Sequence, residues 1–118
     1  MTLKLGVVMD PISSINFSKD TTLVLLLAAF KRNWQIEYIE QADLFLDQGT
    51  PKAISRSCKV YSDPDRWYEL EDHRTIELGD LDVILMRKDP PFDSEYIYST
   101  YILEAAERLG ALVVNKPQ

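Results

Sequence analysis

Apolar positions along this chain fall into short blocks whose spacing changes from block to block, and the changes predict its elements. Residues 3–9 (LKLGVVM) are a compact, mostly apolar run with β-branched members, the length of a buried strand. Pro11 ends that run, and Ser13, Ser14 and Asn16 are turn formers in the loop behind it. Residues 21–32 hold Leu23, Leu25, Leu26, Leu27, Ala28, Ala29 and Phe30, a density that predicts a largely buried helix. Ser18 or Asp20 can cap its start, Lys31 and Arg32 suit the dipole at its end, and Asn33 can stop it. Residues 35–39 (QIEYI) alternate, predicting a strand with Ile36 and Tyr38 inward and Glu37 on a wetter face. Strand, helix and strand in that order form a βαβ unit, which is right-handed and parallel.

The rhythm breaks between residues 42 and 80. Residues 42–46 are short and apolar, and 47–51 (DQGTP) form a turn cluster. Residues 53–61 and 67–70 have the character of short strands, separated by a turn at 62–65 and followed by another at Asp72, His73 and Arg74. Regular order resumes with an apolar strand at 81–86 (LDVILM), a Pro-stiffened loop at 87–92, and a helix over 94–109 capped by Asp93. Tyr98, Ile102, Ala105, Ala106 and Leu109 make the helix's apolar stripe, Gly110 ends it, and 112–114 start a last strand. The expected fold class is α/β: a small open, mainly parallel sheet flanked by helices, with an antiparallel β insertion around 50–78.

Composition narrows the function. At 118 residues there is room for one domain. Thirteen Lys and Arg are scattered among nineteen acids for a net charge of −6, so the basic face that a nucleic-acid partner requires is missing. The longest apolar run, 23–30, falls far short of the ~20 residues of a membrane span, and Lys4 and Asp10 interrupt any leader-like start. A single cysteine, Cys58, allows no internal disulfide, which points to the cytoplasm. His73 has no partner at ligand spacing, so no metal site is expected, and Cys58 reads as a strand residue with no assignable base. Neither G-x-G-x-x-G nor G-x-x-x-x-G-K-[ST] occurs. Tyr96, Tyr98 and Tyr101 could stack on a base, and Trp67 with Tyr68 could face a partner; helix-face and hairpin packing are the simpler readings.

The chemistry concentrates where two strands should end side by side. If the first strand and the 81–86 strand are parallel, the loops past their carboxyl ends share the sheet edge where open α/β sheets bind ligands. That edge would gather Asp10, Ser13, Ser14, Asn16, Arg87, Lys88 and Asp89. Arg87 offers a planar fork for a carboxylate or phosphate, Lys88 a point charge, and Asp10 or Asp89 an acceptor for an ammonium. The set suits a small zwitterion such as an amino acid or peptide. An Arg87–Asp89 or Arg87–Asp10 ion pair that only ties two loops together is the plainer alternative.

The segments LKLGVVMDPISSIN, LDVILMRKDPPFDSEYIYSTYILE and LVVNKPQ, above all MRKDPPFD, give the whole chain a further character. In them the sequence resembles the amino-terminal domain of prokaryotic glutathione synthetase. A response-regulator receiver is a weaker likeness: Arg87 stands where its phosphoacceptor aspartate belongs, and 42–80 does not fit it. The glutathione synthetase resemblance implies a pre-ATP-grasp, Rossmann-like domain over 1–118, with the ATP-grasp catalytic region beyond NKPQ. It implies an ATP-dependent ligase that joins γ-glutamylcysteine to glycine through an acyl phosphate, with Mg²⁺. This segment would be its substrate-side domain, inactive alone and binding no cofactor, with no catalytic residue of its own. The substrate contacts would come from Asp10, Asn16, Arg87, Lys88 and Asp89. The implied partners are γ-glutamylcysteine, glycine, ATP, the catalytic region and further copies of the chain. A free-standing α/β module that binds a small ligand or oligomerises without catalysis is the competing expectation.

Overall fold

The computed structural model describes residues 3–14, 21–87 and 94–115. Seven strands form one sheet: β1 (Lys4–Val8), β2 (Gln35–Ile39), β3 (Leu44–Asp47), β4 (Thr50–Val60), β5 (Tyr68–Glu77), β6 (Val83–Met86) and β7 (Leu112–Asn115). Helices α1 (Thr21–Lys31) and α2 (Ser94–Arg108) flank it. The order is β3-β4-β2-β1-β6-β7, with β5 on the other side of β4. The pairs β1–β2, β1–β6 and β6–β7 are parallel; β2–β4, β3–β4 and β4–β5 are antiparallel. The sheet is therefore evenly mixed rather than mainly parallel. The segment read as an insertion supplies strands of the main sheet, because β4 hydrogen-bonds directly to β2.

Burial on both faces explains the continuous apolar strands. One face packs Leu5, Val7, Ile36, Tyr38 and Cys58 against Leu23, Leu26 and Ala29 of α1. The opposite face packs Val8, Ile39, Ile84 and Met86 against Ile102, Leu103 and Ala106 of α2. Gly6 belongs to this second face: an added Cβ would stand 2.5 Å from Leu81 Cδ1, so the buried Leu81 side chain fills the space that a larger residue would need. Asn33, with φ 63°, ends α1 as expected. The turn cluster joins β3 to β4 through Gln48 and Gly49, both with positive φ (52° and 84°), a two-residue hairpin whose twist matches its strands.

Three expectations are corrected. Asp72, His73 and Arg74 form no turn; β5 runs through them, and a register shift opposite Arg56 and Cys58 absorbs one extra residue at Glu71–Asp72. Polar residues collect there because a bulge loosens the ladder. Arg56 Nε donates to the Glu71 carbonyl at that point, at 2.6 Å. On α2 the buried stripe is Ser99, Ile102, Leu103 and Ala106, with Tyr98 and Leu109 exposed. Both stripes share Ile102 and Ala106, and the packing surface selects between them by about one residue of rotation. Glu37 faces no water, being 1% exposed, because β5 lays Arg74 across it. The predicted caps Ser18, Asp20 and Asp93 lie outside the described residues.

Candidate functional site at the carboxyl edge of the sheet

Strands β1, β2 and β6 end on one edge, and two backbone bonds bind their ends together. Met9 N–H donates to the Ile39 carbonyl at 3.1 Å, and Arg87 N–H donates to the Val8 carbonyl at 2.8 Å. The β1–β6 register pairs Val8 with Met86, so Arg87 and Asp10 emerge from neighbouring strands within two residues of a shared pair. Both are half-buried. Arg87 Nε donates to Thr22 Oγ1 at 3.2 Å, which ties the rim to the first turn of α1. Asn16, Lys88 and Asp89 lie outside the described residues.

The loop after β1 makes one turn of 3₁₀ helix (Ile12–Ser14), with Ile12 buried and Ser13 exposed. A hollow of about 400 Å³ opens beside it, bordered by Ile12, Ser13, Tyr38, Glu40, Arg56 and Tyr68. At its floor the Tyr38 hydroxyl accepts from Ile12 N–H at 3.0 Å and donates to Glu40 Oε2 at 2.8 Å. Sequence reading missed Thr22, Tyr38, Glu40 and Arg56. Tyr38 was legible only as a core residue of an alternating strand, and Arg56 arrives through the β2–β4 pairing, which no local spacing encodes.

At the amino end of the sheet a second hollow of about 360 Å³ is bordered by Lys4, Lys52, Arg74, Glu77 and Asp80. Beneath it the Arg74 guanidinium donates to Glu37 Oε1, and Ser57 Oγ donates to Oε2 at 3.3 Å. Lys52 is committed to Asp47 at 2.9 Å, which pushes its pKa up. Cys58 is buried and burial pushes its thiol up to about 12, the reverse of what a nucleophile needs. Trp67 and Tyr68 stack edge to face at 5.5 Å and pack onto the α1-side core, so they are hairpin packing. Among the described residues no group of three His, Cys, Asp or Glu is placed to hold a metal ion. No helix among them is long and apolar enough to cross a membrane.

The family model of the prokaryotic glutathione synthetase N-terminal domain matches residues 3–118. The chain belongs to that family. It is 57% identical over 118 residues to glutathione synthetase of Vibrio vulnificus, and 57% identical over 118 residues to that of Pseudomonas aeruginosa. The Salmonella typhimurium enzyme is 55% identical over 116 residues. These alignments cover 98–100% of this chain and 37% of each relative, so the chain spans little more than a third of the relatives' length. In this glutathione synthetase N-terminal domain, the loop after β1 and the start of the 87–93 segment meet at the carboxyl edge, the place where α/β sheets present ligand-binding loops.

Proposed function

We propose that this domain is the substrate-side part of an ATP-dependent ligase that joins γ-glutamylcysteine to glycine, forming glutathione. The observation that carries the reading is the family match over residues 3–118, joined to the rim formed where β1 and β6 end in register. In this reaction class ATP activates a carboxylate as an acyl phosphate, which an amine then attacks. The described residues offer no fitting donor set for Mg²⁺, and the sequence has no glycine-rich phosphate loop. In this proposal ATP and Mg²⁺ are held by another part of the polypeptide, since the chain spans 37% of the length of its relatives.

The role left to this domain is to bind and orient the dipeptide. Arg87 presents a fork for a carboxylate, held by Thr22 so that little side-chain freedom is lost on binding. Asp10 supplies an acceptor for an ammonium from the adjoining strand end, and Asn16, Lys88 and Asp89 complete the proposed set. In the complete polypeptide, Arg87→Ala raises KM for γ-glutamylcysteine about tenfold and leaves KM for ATP unchanged. Steady-state kinetics with each substrate varied in turn checks this, and an unchanged dipeptide KM removes Arg87 from the site.

The domain also pairs with a second copy in this proposal. Helix α1 carries no acid, and its outer face exposes Val24 (63%) and Leu25 (42%). On a chain of net charge −6, an apolar, acid-free patch is where two identical surfaces meet with least repulsion. One free thiol and no disulfide support a cytoplasmic setting.

A further inference from the structure

We infer that Tyr38 and Glu40 are positioning residues for the substrate rim, fixing through the Tyr38 hydroxyl the height of the loop that carries Asp10 and Ser13. The inference rests on the reading of the rim as the dipeptide site. It stands on two hydrogen bonds that share one oxygen: the Tyr38 hydroxyl donates to Glu40 Oε2 at 2.8 Å and accepts from Ile12 N–H at 3.0 Å. A carboxylate can only accept, so the phenol proton points to Glu40 and the lone pairs are left for Ile12. The charged acceptor polarises the hydroxyl and strengthens the bond to the loop.

The two ends of this link differ in backbone support, although the Ile12 side chain is buried in the same core as Tyr38. Tyr38 is a buried residue of β2, held in the sheet by β1 and β4 on either side. Ile12 belongs to a single 3₁₀ turn, and among the described residues its neighbours Pro11 and Ser13 are exposed. The phenol therefore transmits the position of the sheet to the loop. On the other side of the rim, Arg87 N–H on Val8 and Arg87 Nε on Thr22 do the same for the β6 end. With both ties in place the rim is fixed before substrate arrives, and binding avoids the cost of ordering it. Burial pushes the Tyr38 pKa well above the usual phenol value, so its proton stays in place throughout the neutral and mildly alkaline range.

The hollow beside Ile12 and Tyr38 admits water, so Tyr38→Phe leaves Ile12 N–H with a solvent partner in a folded domain whose loop keeps the packing of Ile12 and loses its hydrogen-bonded tie to the sheet. The test is steady-state kinetics and melting of Tyr38→Phe, Glu40→Ala, Glu40→Gln and Arg87→Ala in the complete polypeptide. Tyr38→Phe and Glu40→Ala raise KM for γ-glutamylcysteine about five- to tenfold, with KM for ATP and kcat within about twofold of the parent. Glu40→Gln retains a side-chain oxygen that accepts the phenol proton, and stays within about twofold throughout. A lowered melting temperature with all KM values unchanged makes the link merely structural and overturns the inference. If Arg87→Ala raises the dipeptide KM while Tyr38→Phe does not, the inference fails and the rim reading stands. If neither variant moves that KM, both fail. Should Tyr38→Phe not fold, Glu40→Ala decides: an unchanged dipeptide KM overturns the inference.

Discussion

Glu37 gives up nearly all of its hydration in the middle of a strand, and a carboxylate so placed is tolerated only when its oxygens are bonded. Arg74 and Ser57 take one oxygen each, and both come from the β4–β5 hairpin. Arg74→Ala leaves the charge buried with Ser57 alone. Because the Arg74 side chain is half-exposed, the loss is smaller than for a fully buried pair, about 2 kcal/mol by denaturant unfolding. Glu37→Gln keeps an oxygen acceptor for Arg74 and turns an NH2 donor toward the Ser57 hydroxyl, which can accept it, and costs about 1 kcal/mol. Cys58 supplies a pH dependence. The fold raises its pKa to about 12, above the value of roughly 8.5 in an unfolded chain, so the folded state holds the proton more tightly. Its contribution is complete below the unfolded value and is lost as pH rises from there toward 12. Unfolding measured between about pH 7 and pH 10 shows falling stability, with a shallower slope in Cys58→Ala.

Elements followed local spacing where one face of the segment was clearly apolar. The βαβ unit of β1, α1 and β2 was legible to within a residue or two, because two-sided burial makes β1 a short continuous apolar run, α1 is a longer dense one, and β2 alternates. The phase of α2 was not, since two overlapping stripes both have helical spacing and the choice lies in the surface beneath. β5 was half missed: its Asp, His and Arg are turn formers in isolation, and they continue a strand because the bulge and the β4 partner hold them. The Gly6–Leu81 approach yields a prediction at this scale. Gly6→Ala forces Leu81 to move and destabilises by about 1–3 kcal/mol. Combining it with Leu81→Ala gives a loss smaller than the sum of the two, because the smaller side chain makes the room that the new methyl needs. Denaturant unfolding of the two single variants and the double variant measures the coupling.

For the whole molecule, the outer face of α1 is one apolar feature, among the described residues, that the domain's own packing leaves unexplained. A helix apolar on nearly every side is normally covered on every side, yet Val24 and Leu25 remain exposed. Leu25→Glu places a carboxylate where two copies of the same face would meet. It shifts the complete polypeptide toward monomer in light scattering, with the melting temperature of the isolated domain changed by no more than a few degrees. A parent and variant of equal mass would remove this face from the assembly. The rim also belongs to this scale. Asp10 and Arg87 were legible as strand-end residues, and their placement on one edge depended on β1 and β6 being parallel neighbours. Tyr38, Glu40 and Arg56 were not legible as neighbours of the loop, because side-chain reach across the β1–β2 pair set the first two and the β2–β4 pairing brought in the third.

What a reader of residues could establish was local or familial: the apolar runs, the helix and turn signals, the α/β class and the family likeness carried by MRKDPPFD. These follow from backbone sterics and the expulsion of apolar surface, which act within a few residues. The even mixture of parallel and antiparallel pairs, the burial of Glu37 and the tie from Tyr38 to Ile12 came from contacts 20 or more residues apart. Hydrogen-bond partners across strands are interchangeable as far as local preference goes, so the packing of the entire sheet had to choose among them.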